Sequence, residues 1–142
     1  QEMKRGVFFD ASAWIAIENT RDHCHEQATT LYQRVLTERT ARITSTWTVY
    51  EALSFLKSRA GYEAAQGLWE KVNDTKLIQL VPVDAVTEEA ALDLFFRYRD
   101  KDWGVVDCSS LIIVDRLGCS IAFAFDVHFS QAARQYGFEI AG

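Results

Sequence analysis

Gly6-Val7-Phe8-Phe9-Asp10-Ala11-Ser12-Ala13-Trp14 is an apolar run that ends on an acid and passes directly into residues with helical spacing. Near the other end, Ile121-Ala122-Phe123-Ala124-Phe125-Asp126 repeats the pattern and leads into Val127-His128-Phe129-Ser130, which reads as a helical turn. Apolar runs without polar alternation belong to strands covered on both faces, as in parallel sheets flanked by helices. Further β-favouring runs fall at Ala41 to Ser45, Leu77 to Val83 and Phe138 to Ile140, with the two quoted strands spanning Gly6 to Phe9 and Ser120 to Phe125. Between them, His23 to Glu38, Trp47 to Arg59, Tyr62 to Asn73, Val86 to Arg99 and Val105 to Leu117 carry mostly helical apolar spacing. Alternating elements imply right-handed crossovers. The expectation is a three-layer α/β/α sandwich around a mainly parallel sheet of four to five strands.

The chain has 142 residues, 49% of them hydrophobic, enough for one buried core. One proline and seven scattered glycines mark no linker or repeat, so a single domain is expected over residues 4–142. Met3 reads as the natural start, with Gln1 and Glu2 as an expression remnant. The longest apolar runs fall far short of the ~20 residues that a membrane-spanning helix needs, so no membrane association is expected. Cys24, Cys108 and Cys119 make an odd set without a C-x-x-C pair, which points to a reducing cytoplasm. His23, His25 and His128 lack metal-ligand spacing and read as surface or capping residues. The net charge of -5 excludes a protein that coats nucleic acid by neutralising phosphates. A nuclease remains open, because divalent cations among clustered carboxylates offset charge where a phosphate approaches.

In a sheet of this kind a site forms at the carboxyl ends of the strands, where strand order reverses. Asp10 and Asp126 both stand there, each as a helix N-cap or as a ligand; neighbouring parallel strands would bring the two together, at a cost that a cation relieves. Glu51 lies in a stretch apolar nearly all round, Trp47, Val49, Tyr50, Ala52, Leu53, Phe55 and Leu56, so it is expected to be buried. A buried glutamate needs a partner, either an arginine or a metal ion. Asp107 takes the third position of a helix that Gly104 caps, where an acid either serves the helix start or presents a carboxylate at the sheet's rim. Asp22 and Asp84 read as helix-start signals and Asp115 as solvent-facing. Asp100 and Asp102 lie near Asp107 in sequence, and Asp102 is a candidate for supporting it from behind.

The segments Val7 to Ala13, Thr44-Ser45-Thr46 leading to Glu51-Ala52-Leu53, Asp100-Lys101-Asp102-Trp103 leading to Asp107-Cys108-Ser109-Ser110, and Phe125-Asp126-Val127-His128-Phe129 together resemble the PIN-domain family, and within it the VapC-type toxins of bacterial toxin-antitoxin pairs. The resemblance covers essentially the whole chain. It implies a metal-dependent endoribonuclease whose Asp10, Glu51, Asp107 and Asp126 bind Mg2+ or Mn2+, with Ser12 supporting the site. It also implies a homodimer, an RNA substrate hydrolysed by metal-activated water, and a VapB-type antitoxin that reaches into the acidic groove. Where family members often carry hydroxyl residues ahead of the third acid, this chain has Gly104 and Val106.

An all-oxygen ligand set suits hard cations such as Mg2+. For phosphate contacts the sequence offers Arg5, Arg97, Arg99, Lys101 and Arg116, and for base stacking Trp14, Trp47 and Trp103, with Trp47 expected in the core. Asp10-Ala11-Ser12 lacks the second acid of a haloacid-dehalogenase-type phosphatase, and no glycine-rich phosphate loop follows the first strand. The alternative to an enzyme is a catalytically inactive PIN-fold module that binds protein or RNA.

Overall fold

The computed structural model describes residues 4–38, 40–127, 129, 131 and 139–141. The element order is β1 (Lys4–Phe9), α1 (Ala11–Glu18), α2 (His25–Thr37), β2 (Thr40–Ser45), α3 (Thr46–Arg59), α4 (Tyr62–Asn73), β3 (Gln79–Val81), α5 (Ala85–Arg97), α6 (Val105–Leu117), β4 (Ile121–Phe123) and β5 (Glu139–Ala141). The strands form one sheet in the order β3-β2-β1-β4-β5, and every pairing is parallel. The chain steps outward from β1 to β2 and β3, then returns to β1's other side with β4. That reversal places the switch point between β1 and β4.

The apolar runs are buried on both faces, as their lack of alternation requires. Val7 and Phe9 join Phe123 and residues of α1 to α4 in one core, while Phe8, Ile43 and Ala122 face Ile113 and Val114 of α6 and Phe129 in another. A smaller core unites α5 and α6 through Ala91, Leu94, Trp103, Cys108 and Leu111. Layers of helices on both sheet faces make the α/β/α sandwich.

Two strands are shorter than expected, for different reasons. β3 pairs only with β2, through Ile43 to Ser45, and Pro82 behind it has no N–H for a ladder. β4 ends at Phe123 because its partner β1 ends opposite, at Phe9, where the Asp10 N–H takes the Phe123 carbonyl at 3.0 Å and α1 begins. His128 and Ser130 of the expected turn, and Phe138 of the expected tail strand, lie outside the described residues. No helix among the described residues is long and apolar enough to cross a membrane.

Candidate active site

The capping and ligand readings of Asp10 are one geometry. Its Oδ2 accepts the Ser12 N–H at 3.2 Å and the Ser12 hydroxyl at 2.7 Å, capping α1. The same Ser12 Oγ accepts the Phe125 N–H at 2.9 Å. Ser12 thus ties buried Asp10 to the residue immediately before Asp126, across the switch point.

Asp107 shows the same economy at α6. The Gly104 N–H donates to its Oδ2 at 3.1 Å, as expected of a third-position acid behind a glycine cap. In both aspartates the capping bonds engage Oδ2 and leave Oδ1 outside them. Positions 104 and 106 carry no hydroxyl; one turn later, the Ser109 and Ser110 hydroxyls donate to the Val106 carbonyl at 2.6 and 3.1 Å.

Glu51 corrects an expectation. Only Thr48, Val49, Ala52 and Leu56 of α3 are buried; the outer face, with Tyr50 and Phe55, is open, and Glu51 is exposed on it. α3 packs on α1 and α4 from one side, so its apolar outer residues do not imply a covered helix. Trp14 and Trp103 are likewise interior, at 0% and 4% exposure, and neither can stack a base; Trp47 is half-buried. Asp102 is exposed and makes no hydrogen bond or ion pair among the described residues. Asp84 caps α5 by accepting the Thr87 N–H at 2.9 Å, which holds its carboxyl below the usual range.

A bridge of buried hydroxyls was not read from the sequence. Ser45 caps α3 through Thr48 N–H and donates from Oγ to Thr48 Oγ1 at 2.8 Å; Thr48 Oγ1 lies 3.3 Å from Ser110 Oγ on α6. Ser45, Thr48, Ser109 and Ser110 are all at 0% exposure. The bridge joins the helix that carries Glu51 to the helix that carries Asp107. Its signal was small hydroxyl residues on otherwise apolar helix starts, a pattern that capping alone also produces.

Electrostatics draws the four acids together. Burial pushes the Asp107 carboxyl up to about 7, helped by Asp10, Asp126 and Glu51 against the lowering bond from Gly104. Burial raises Asp10, with Asp126 adding to it against the Ser12 bonds; at Glu51, exposed as a residue, desolvation of the carboxyl group itself raises the value, with Asp10 and Asp126 adding. No lysine or arginine among the described residues relieves any of these three. Like charges that hold each other's protons are the condition a divalent cation reverses, and the donors are all oxygen.

Among the described residues, no three of these carboxylates place an oxygen each within 4.8 Å of one another. Such spacing leaves room for water, which Mg2+ gives up reluctantly. The tighter group, Asp22, His23 and Cys24, is a turn in which Asp22 Oδ1 accepts the Cys24 N–H at 2.8 Å and His23 is almost wholly exposed.

The PIN domain family model matches residues 7–135, which takes in all four acids. The chain belongs to the PIN-domain family. Among curated proteins this PIN domain is similar to the 23S rRNA-specific endonuclease VapC20 of Mycobacterium tuberculosis, 28% identical over 126 residues, covering 89% of this chain and 93% of the relative. Among solved structures it is similar to the crystal structure of the same organism's VapC20, named there as a toxin that cleaves the sarcin-ricin loop, with a TM-score of 0.82 and 28% identity over 94% of this chain and 96% of that one.

Proposed function

We propose that this PIN domain is a metal-dependent endoribonuclease and the toxin of a type II toxin-antitoxin pair. What supports the reading is that Asp10, Glu51 and Asp107, from separate segments, each carry a pKa raised first by desolvation and then by the other acids of the set, Asp126 among them. In this reading the four hold one or two Mg2+ or Mn2+ ions. When bound, such ions activate a water nucleophile and neutralise charge on the leaving 3'-oxygen, giving a 5'-phosphate and a 3'-hydroxyl.

The chain's own residues do the placing. Ser12 and Gly104 each occupy one oxygen of an aspartate and fix its orientation, which is how supporting bonds tune a metal ligand. Asp107, whose carboxyl burial pushes up to about 7, would have to lose its proton to hold a cation. Glu51, exposed on α3, would complete the ligand set from the solvent side. Asp102 stays outside this set.

The rest of the reading follows from the resemblance to VapC-type toxins. A VapB-type antitoxin is the proposed partner, a homodimer the proposed assembly, and the cytoplasm the proposed setting, which the free thiols of Cys24, Cys108 and Cys119 suit. Because VapC20 is named for 23S rRNA, that RNA is the first substrate to test. Purified protein is incubated with 23S rRNA and a pool of structured RNAs, with Mg2+ or Mn2+, with chelator, and with an Asp107→Asn variant alongside. Cleavage abolished by both chelator and substitution is expected. Absence of cleavage under every condition by folded protein favours the inactive binding module.

A further inference from the structure

We infer that the outer face of α3 is the track by which single-stranded RNA reaches the carboxylates, with Phe55 stacking a base and Lys57, Arg59 and Arg21 holding phosphates; the inference rests on the ribonuclease reading above. Glu51, Phe55 and Arg59 follow at i, i+4 and i+8, so they form one row along the helix. Eight residues span about 12 Å of helix, the reach of a few nucleotides from the catalytic edge. Tyr50 and Lys57, seven residues apart, make a neighbouring row.

Every member of these rows is open to solvent: Phe55 is 41% and Tyr50 54% exposed, and Lys57 and Arg59 are exposed at the helix end. The Arg59 guanidinium lies 5.8 Å from the centre of the Phe55 ring, a cation-π pair that presents an aromatic face beside a charge. Single-stranded RNA is held by such pairs, through bases on aromatic or guanidinium planes and phosphates on cations. A second helix converges on the spot. α1 begins at Asp10, and beyond its end Arg21 donates to the Arg59 carbonyl at 3.4 Å, which gathers a third cation. Glu18, the acid nearest to Arg21 on α1, is bound to Lys71 at 2.8 Å, and Glu63, which shares the adjoining cleft, forms no ion pair among the described residues.

The charge balance requires a source of cations near an acidic site in a chain of net charge -5. Of the cations around α5 and α6, Arg97 pairs with Asp93 at 2.7 Å on the open surface, Lys101 lies 4.0 Å from Asp100, Arg99 is exposed in the loop between the helices, and Arg116 donates to the Thr87 hydroxyl at 2.8 Å, nine residues or about 14 Å of helix from Asp107. A protein partner fits α3 less well. Interface cores are depleted of charge, whereas exposed Glu51, Ser54, Lys57 and Ser58 share this helix's open side with Tyr50 and Phe55.

The test measures fluorescence anisotropy of a labelled mixed-sequence single-stranded RNA of about a dozen nucleotides, a length within the usual range of single-strand sites. The protein is the full chain carrying Asp107→Asn, so that binding is read without cleavage. Phe55→Ala and Arg59→Gln are each expected to weaken binding roughly tenfold. Arg59→Gln should also lower the slope of log affinity against log salt by about 0.7, one phosphate contact. Phe55→Trp should retain affinity, and Arg97→Gln should not change it. Affinities of the α3 variants within twofold of their parent overturn the proposal, as does a changed mass in light scattering with RNA affinity intact, which would make this face a protein interface. If the otherwise wild-type protein cleaves RNA in a chelator-sensitive way and Phe55→Ala and Arg59→Gln cleave equally well, the track alone falls. If that protein neither binds nor cleaves RNA, the ribonuclease reading falls with it.

Discussion

The carboxyl edge of the sheet and the outer side of α5 invert the usual distribution of polarity. At the edge, Asp10, Thr44, Ser45, Thr48, Ser109 and Ser110 are buried, and acids push each other's protons on. On α5, Val86, Leu92 and Phe96 are 65%, 41% and 71% exposed, with an Asp93-Arg97 pair among them. Buried polar groups are costly unless bonded, and exposed apolar groups gain nothing from the fold. Neither region is explained by the stability of the isolated chain. At the edge the hydroxyls are satisfied by one another, by the Phe9 and Val106 carbonyls and by the Trp14 indole, and the remaining cost lies in the carboxylates, the groups with chemistry to perform.

If that is right, removing charge at the edge separates activity from stability. Asp107→Asn keeps an acceptor for the Gly104 N–H but cannot carry the negative charge. RNA cleavage is expected to fall by roughly a hundredfold or more, while the melting temperature measured in chelator at neutral pH holds or rises. A fall in both would mean that Asp107 serves the helix and not a cation. Thr48→Val is the complementary case. It leaves the Ser45 and Ser110 hydroxyls without their buried partner, at about 1–3 kcal/mol. By letting α3 and α6 shift, it should also weaken the affinity for Mg2+ measured by calorimetry, by roughly tenfold. Thr48→Ser restores the hydroxyl and should restore the affinity; failure to do so would show that the methyl packing mattered and not the bridge.

The same contrast explains what the sequence made legible. Tyr62–Asn73 was readable to the residue from its apolar periodicity, and Val105–Leu117 from periodicity together with the Gly104 cap. Asp10 and Asp126 stand out in the sequence because apolar runs end on acids there; β1 does end at Phe9, directly before Asp10, whereas β4 ends at Phe123, before Ala124 and Phe125. The burial of Glu51 was misread because apolar composition says nothing about which helix face meets a neighbour; Tyr50 and Phe55 point outward. The Ser45-Thr48-Ser110 bridge spans 65 residues of sequence, and only the packing of α3 against α6 creates it. The sequence offered Arg5, Arg97, Arg99, Lys101 and Arg116 as phosphate contacts, whereas Arg21 and Arg59 meet through a backbone carbonyl that no spacing rule reveals.

Acidity tests the edge more gently. Asp107 titrates near 3.8 in an unperturbed chain and near 7 in the folded protein. Its proton is therefore bound more tightly in the folded state, so its contribution to stability is full below about 3.8 and is lost as pH rises toward 7. Raised values at Asp10 and Glu51 act in the same direction. In chelator, this contribution should make the melting temperature decline across that window relative to Asp107→Asn, which removes the titrating group. Saturating Mg2+ should flatten the decline by replacing the protons with a cation. A wild-type profile in chelator that parallels the Asp107→Asn profile would sink the claim that these acids raise one another.

The smallest effect is expected on α5. Phe96 is 71% exposed, and its ring meets Phe95 edge to face without entering the α5-α6 core of Ala91, Leu94, Trp103, Cys108 and Leu111. Phe96→Ser should therefore change the unfolding free energy by no more than about 0.5 kcal/mol, the usual range for a surface site. Cleavage of RNA should be unchanged, since α5 supplies none of the carboxylates. A loss of several kcal/mol in denaturant titration at micromolar protein would show instead that this ring is buried in the working molecule. Because such a loss could come only from a surface the single chain leaves open, it would scale with protein concentration. That dependence separates an assembly contact from a packing defect inside one chain.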